Sequence, residues 1–298
     1  MGDIKTMITV NSVSEYLDHV SSIKRIRVMS NTVSSFTFFR GQANLNWKIS
    51  PSLYRKGLFK SESLLLTEIK HLCPSEIPEN RFDALVKMQH FGMPTRLLDT
   101  TTNPLVALYF ACENEFEKAS DGVVYAFPNL PVSWSTDPLI EIIMDFVFDC
   151  YPERTPLDKM LKSIKEKYQY NSQRSIPNDI NSLLYYLKIP AFAVMPAKTN
   201  ERIEAQDGAF FIFRMNVRNY EVSTNPGTLG QIYYNFDPVD IDRPDKIWNN
   251  SETIIIPASA KDKILDQLDV LGINERKLFP DLTHQILHAV NSVTKSTI

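Results

Sequence analysis

The chain has 298 residues, 43% of them hydrophobic, a net charge of -3 and a pI near 6.0. That is enough apolar material for one large domain or two small ones, and the charge argues against a general nucleic-acid or membrane-surface binder. Three widely spaced cysteines, Cys73, Cys112 and Cys150, suit reduced thiols in a cytoplasmic setting rather than a disulfide framework.

Asp3 and Lys5 interrupt the N-terminus where a secretory leader needs an apolar run, and no segment is long enough to span a bilayer. Residues Met7 to Val10 read as a short strand. Ser12 or Ser14 then caps a helix with Tyr16, Leu17 and Val20 on one face. Ser34 to Phe39 is rich in aromatic and β-branched residues and reads as a strand ending at Arg40-Gly41-Gln42. A charged residue at such an end is exposed at the sheet edge, and Gly41 permits close approach of a ligand to the backbone.

Ser61 to Leu72 predicts a helix with Leu64, Leu65, Glu68, Ile69 and Leu72 at helical spacing. Arg81 to His90 predicts a second, with Phe82, Leu85, Val86 and Gln89 along one side. Gly92 supplies the left-handed residue that ends it, and Pro94 keeps it from restarting. Asn103 caps a third helix, with Pro104 at its first position and Leu105, Leu108, Tyr109 and Cys112 as its buried stripe. Between these two helices lie Arg96, Asp99, Thr100, Thr101 and Thr102. So dense a polar cluster on a short connection points to a site, although Arg96 and Asp99 also fit an ordinary ion pair.

Asp121-Gly122 is a turn and Val123 to Phe127 a strand. The segment 128–190 reads as a helical insertion or lid, with helices over Leu157 to Lys167 and Ile180 to Leu187. Ala191 to Met195 is a strand. A polar run from Asn200 to Gly208 leads into the apolar strand Ala209 to Phe213. Thr253 to Pro257 is another strand. Ser259 with Asp262 forms a capping box for a helix carrying Ile264, Leu265, Leu268 and Leu271, which stops at Gly272. Asp281 to Val293 is a last amphipathic helix. Strands and helices do not alternate regularly. The expected class is therefore α+β, one domain over 1–298 with a central mixed or antiparallel sheet and flanking helices.

The chain has no glycine-rich dinucleotide fingerprint, no P-loop and no G-x-S-x-G elbow. His284 and His288 stand four apart on a helix without an acidic or thiol partner in view, so no metal is predicted.

Phe39-Arg40-Gly41-Gln42, the run from Trp47 to Leu53, Gln89 to Asp99, Asn103 to Ala111, Arg202 to Phe210, Ile256 to Lys261 and Leu278 to Leu282 together resemble the FRG domain. The resemblance covers most of the chain and leaves 128–189 as a loose insertion. The order of parts is similar, more distantly, to the ADP-ribosyltransferases. Those place an arginine at the end of an early strand, a Ser/Thr-rich strand before a helix, and a late acidic residue beside another strand.

This resemblance implies NAD as a substrate. Arg40 and Arg96 then hold phosphate; Asp99, Thr100 and Thr102 position ribose; Glu204 or Gln206 stands at the reacting centre. Gly41, Gln42, Asn103 and Arg202 join the binding set, and His90 is a candidate acid or base. It further implies a toxin or phage-defence effector acting on a nucleotide or protein target. Two departures stand out: threonines replace the Ser-x-Ser pattern, and Gln206 cannot act as a base. A non-catalytic binding module is therefore the second reading. An enzyme acting on nucleic-acid phosphates through Arg40, Arg96, Arg202 and His90 is the third, and the acidic pI disfavours it.

Overall fold

The structure is a computed structural model. It describes residues 7–23, 35–149, 155–168, 177–189, 191–198, 200–213, 215–227, 232–238, 248, 250–282, 284–286 and 289–290. Ser34, Cys150, His288 and Val293 lie outside the described residues, as does part of the predicted C-terminal helix. In chain order the strands are β1 (Met7–Thr9), β2 (Ser35–Gln42), β3 (Leu97–Thr101), β4 (Gly122–Trp134), β5 (Thr155–Pro156), β6 (Ala191–Met195), β7 (Gly208–Phe213), β8 (Met215–Val222), β9 (Ile232–Pro238) and β10 (Glu252–Ile256). The helices are α1 (Val13–Ser22), α2 (Ser52–Arg55), α3 (Glu62–Leu72), α4 (Arg81–His90), α5 (Pro104–Cys112), α6 (Pro138–Asp149), α7 (Leu157–Tyr168), α8 (Ile180–Lys188), α9 (Glu201–Ala205), α10 (Lys261–Val270) and α11 (Glu275–Leu278).

The class is α+β. Seven strands form a mixed sheet in the order β1-β10-β4-β2-β3-β7-β6, with parallel pairs at β1/β10 and β4/β6. The β4/β6 pairing curls β4, β2, β3, β7 and β6 into a closed five-stranded barrel. Strand β4 achieves this by serving two sets of partners. Its first half lies between β10 and β2, and its end, Val132–Trp134, pairs with Ala193–Met195. The register slips between Phe36↔Leu130 and Phe38↔Phe127, and Asn129 there has φ +56°. A bulge of this kind adds twist and bends the strand toward its second partner. Strands β5, β9 and β8 make a separate three-stranded sheet.

Alternation along the strands decides which side chains fill the barrel. Phe38, Leu98, Val123, Tyr125, Phe127, Ala209, Phe211 and Phe213 share its interior cluster, with Phe211 edge-on to Phe38 at 5.7 Å and to Phe127 at 5.1 Å. The outward set divides between two helical layers. Phe39, Val124, Ala126 and Ile254 meet α1, α5 and α10, whereas Leu97, Val194, Phe210 and Ile212 meet α3, α4 and α6.

Helix α5 is apolar nearly all round, and six of its nine residues are buried. This exceeds the single stripe that its sequence suggests. Sheet covers one side of it, and α1, α10 and Phe279 cover others. Two glycines admit it: a Cβ on Gly41 would lie 1.8 Å from the Ala107 carbonyl oxygen, and one on Gly122 would lie 2.1 Å from that of Ala111. Gly41 thus serves close helix packing, where the sequence suggested ligand approach.

Several expectations are corrected here. Residues 97–101 are a strand, not a bare connection, because they take a full register against Gly208–Ile212. The Asn200–Gly208 run holds a short helix, α9 (Glu201–Ala205), capped by Asn200, and ends where β7 begins at Gly208. Ser259 and Asp262 make no capping box, since a 3-10 turn over Ala258–Ala260 runs straight into α10 and places Ala260 at the cap. On α3, Glu62 and Leu66 are buried while Leu64 and Leu72 are more than 60% exposed. The segment expected as a lid contributes the end of β4, and its α6 packs Ile140, Ile143 and Met144 into the core beside Phe82 and Leu85.

Candidate functional site

Strands β2 and β3 pair at one register position, Phe39↔Thr101. Beyond it β2 follows β4 to Gln42, β3 follows β7, and the two part. A cleft of about 470 Å³ lies against the parted strands. Its walls are the Arg40–Ala43 end of β2, Asp99–Thr101 of β3, Gln89 and His90 at the end of α4, one side of α5, and Asn200, Arg202 and Gln206 around α9.

Each wall is fixed by local chemistry. Helix α4 ends with Gly92 at φ +92°, its N–H donating to the Gln89 carbonyl and that of Met93 to the Met88 carbonyl. This is the left-handed glycine ending that the sequence predicts. It leaves Gln89 and His90 facing β3. The Gln89 amide bonds Thr95 Oγ1 with its oxygen and donates through Nε2 to Asp99 Oδ1 at 2.8 Å, which holds that carboxylate at the cleft. The chain after Gln42 is pinned from beneath. Lys261, 1% exposed, donates Nζ to the carbonyl oxygens of Ala43 at 2.7 Å and Glu117 at 2.8 Å.

Arg40 is half-buried. Its Nη1 donates to the Asp99 carbonyl oxygen at 2.6 Å, and its Nε is buried without a partner. Burial pulls its pKa down, Asp99 acts against this and Arg55 adds to it. No carboxylate pairs with it among the described residues. Gln42 and Thr100, 3% and 6% exposed, carry two more unpartnered atoms, Oε1 and Oγ1. Thr101 is satisfied: its hydroxyl donates to the Gln206 carbonyl at 2.7 Å and accepts from the Asn103 N–H at 2.9 Å.

The α9 wall carries a stack. The Arg202 guanidinium lies over the Phe279 ring at 4.6 Å. Phe279 also stacks on His284 at 4.8 Å and meets Phe110 edge-on at 6.0 Å. The His284 ring binds Asp281 Oδ1 at 2.7 Å, a bond that holds the Asp281 carboxyl below its usual pKa. Burial and then the Arg202 charge lower the pKa of His90 below its ordinary value, with Asp281 opposing.

The structure therefore brings Arg40, Gly41, Gln42, His90, Asp99, Thr100, Arg202 and Gln206 to one cleft. Four expected residues are not among those lining it. Arg96 is 2% exposed and its guanidinium forks onto Glu62, with Nε 2.9 and 3.0 Å from the two carboxylate oxygens. Burial works against its charge, but Glu62 and Tyr54 more than offset this and carry its pKa above the usual arginine range. Glu204 points outward, 3.7 Å from Lys198. Asn103 caps α5 and donates to Asp207, and Thr102 bonds the Asp207 carbonyl. Gln206 lines the cleft, but its Nε2 is committed to the Leu278 carbonyl at 3.0 Å.

The sequence reading missed Trp47, Glu113 and Asn114, which also line the cleft. Burial, then Glu275 and Glu115, raise the Glu113 carboxyl pKa. Trp47 stands within the stretch that resembles the family and was open to notice; nothing local distinguishes Glu113. Among the described residues no group of three or more His, Cys, Asp and Glu is placed to hold a metal ion, and no helix is long and apolar enough to cross a membrane.

The FRG domain family model matches residues 35–120, which supply β2, α4, β3 and α5 and so the Arg40, His90 and Asp99 walls. Arg202 and Gln206 come from beyond the match. No curated protein and no solved structure matches the chain.

Proposed function

We propose that the cleft binds NAD or a close dinucleotide relative and that the chain breaks the bond between nicotinamide and ribose. The ADP-ribosyl group then passes to water or to an acceptor on a nucleotide or protein target. The observation that carries this reading is the meeting of Arg40, Asp99–Thr101 and Arg202 in one cleft of about 470 Å³. That volume suits a small ligand. The guanidinium edges of Arg40 and Arg202 left free by Asp99 and Phe279 are fork donors for a pyrophosphate. Thr100 offers its hydroxyl to the ribose.

When the C–N bond breaks, its electron pair leaves with nicotinamide and positive charge develops on the ribose. Asp99, oriented by Gln89, is the carboxylate that stabilises this charge. Burial and the Arg202 charge hold the His90 pKa below its ordinary value, which favours the neutral ring, and it accepts the proton as water or an acceptor hydroxyl attacks C1′. A toxin or phage-defence role in the cytoplasm rests on the family resemblance and on the free thiols. Cys73 and Cys112 are unpaired, and burial pushes the Cys112 thiol up to about 12.

A specific observation favours a second reading, a non-catalytic nucleotide-binding module. Gln206 replaces a carboxylate and spends its amide on Leu278, and Glu204 faces away. One assay separates the two. Purified protein incubated with NAD releases free nicotinamide, and Arg40→Ala lowers that release on the order of a hundredfold. Binding of NAD without release supports the second reading. Undiminished release by Arg40→Ala removes this cleft from the chemistry.

A further inference from the structure

Thr95 is fully buried and is not among the residues that line the cleft, yet a single side chain links it to the cleft carboxylate. Its backbone is tied on both sides. The N–H donates to Ser52 Oγ at 3.3 Å, and the carbonyl accepts from the Leu53 N–H at 3.1 Å. The Thr95 hydroxyl is tied as well: Oγ1 accepts from the Leu97 N–H at 3.1 Å and donates to Gln89 Oε1. Gln89 Nε2 in turn donates to Asp99 Oδ1 at 2.8 Å. Asp99 is in phase with Leu97, so its carboxylate stands on the outward face of β3, the face that α4 covers and from which Gln89 reaches it.

The buried end decides the direction of every bond in this relay. The Leu97 N–H can only donate, so it takes a lone pair of Thr95 Oγ1. The hydroxyl has one proton, and among the described residues its acceptor is Gln89 Oε1. Turning the Gln89 amide over would leave that proton without an acceptor in a fully buried place, which is costly. It would also set Gln89 Oε1 against a carboxylate oxygen of Asp99, acceptor to acceptor. The amide therefore keeps its oxygen on Thr95 and its NH2 on Asp99. Asp99 Oδ1 is left the acceptor's part, and Oδ2 makes no hydrogen bond among the described residues.

We infer that Thr95 is a positioning residue of the cleft: its hydroxyl sets the Gln89 amide, and the amide presents Asp99 with one oxygen tied and the other free for the ribose. The inference rests on the NAD reading, in which Asp99 stabilises the positive charge that develops as the nicotinamide bond breaks. Thr95 itself touches no substrate. Its effect belongs to the transition state, where that charge exists, so it bears on kcat and not on KM.

Two variants and two measurements on the full-length protein test this. Thr95→Val keeps the shape and removes the hydroxyl; Thr95→Ser keeps the hydroxyl. Nicotinamide release from NAD gives kcat and KM. Hydrogen exchange of the Gln89 side-chain amide, read by NMR on protein made with isotope-labelled glutamine and assigned with Gln89→Met, reports the relay itself. Thr95→Val is expected to speed that exchange and to lower kcat, each on the order of tenfold, with KM within about twofold, which also shows that the variant is folded. Thr95→Ser is expected to stay within about twofold of the unmodified protein in all three. Unchanged exchange in Thr95→Val overturns the relay. Faster exchange with unchanged kcat overturns the positioning role. A rise in KM that matches the fall in kcat, or a loss that Thr95→Ser shares, overturns it in favour of packing alone. Absence of nicotinamide release from the unmodified protein is a different result: it removes the NAD reading, and the role of Thr95 with it, while the exchange data still show whether the relay is there.

Discussion

Arg40 and Arg96 are the same side chain with opposite fates, and the difference is the nearest carboxylate. Glu62 lies against Arg96, and both side chains are 3% exposed. The pair holds Arg96 in the core, away from the residues that line the cleft. Among the described residues, Arg40 has only a backbone carbonyl at one nitrogen and keeps an unpaired Nε. No spacing rule in the sequence links Glu62 to Arg96, because they are 34 residues apart and join two elements through the core. Removing one partner of a buried pair strands the other charge. Glu62→Gln should therefore cost about 3–5 kcal/mol in a denaturant titration. Because Arg96 is outside the cleft, the ADP-ribose affinity of the folded fraction should stay within about twofold. A Glu62→Gln protein of unchanged stability but lost nucleotide affinity would return Arg96 to the site.

At the scale of elements, what could be read from sequence was what local chemistry decides. The Gly92 ending of α4, the Ser12 cap of α1 and the Asn103-Pro104 start of α5 follow from residues adjacent in the chain. Strand β2 runs on through Arg40-Gly41-Gln42, where the sequence suggested its end, and lies between β4 and β3, so Arg40 is half-buried rather than exposed at a sheet edge. Long-range choices were not legible. The end of β4 gives no local sign that it closes a barrel onto β6, and residues 97–101 become a strand only because β7 supplies a register. The polar residues at the end of β3 and just after it divide by the same logic. Thr100 faces the cleft, whereas Asn103 is used up at the helix start, accepting from Leu105 N–H at 3.0 Å. Asn103→Ala should cost about 1 kcal/mol of stability, as loss of a helix cap does. Its ADP-ribose affinity should not change. A large affinity loss at constant stability would show that Asn103 touches the ligand after all.

At the scale of the molecule, the fold brings together segments that the chain keeps about 60 and 100 residues apart. The match to residues 35–120 covers the Arg40 and Asp99 walls, and α9 supplies Arg202 after the intervening β4–β6 closure. The Phe279–His284–Asp281 stack then backs Arg202 from the far end of the chain. A ligand in such a cleft must touch all three segments at once. Hydrogen exchange with and without ADP-ribose reads this directly. The expected result is coincident protection of peptides covering 39–43, 99–102 and 200–208. Protection of one of these alone, or of the smaller cleft beside Arg81 and Asp145 instead, would contradict the single shared site on which the NAD reading depends.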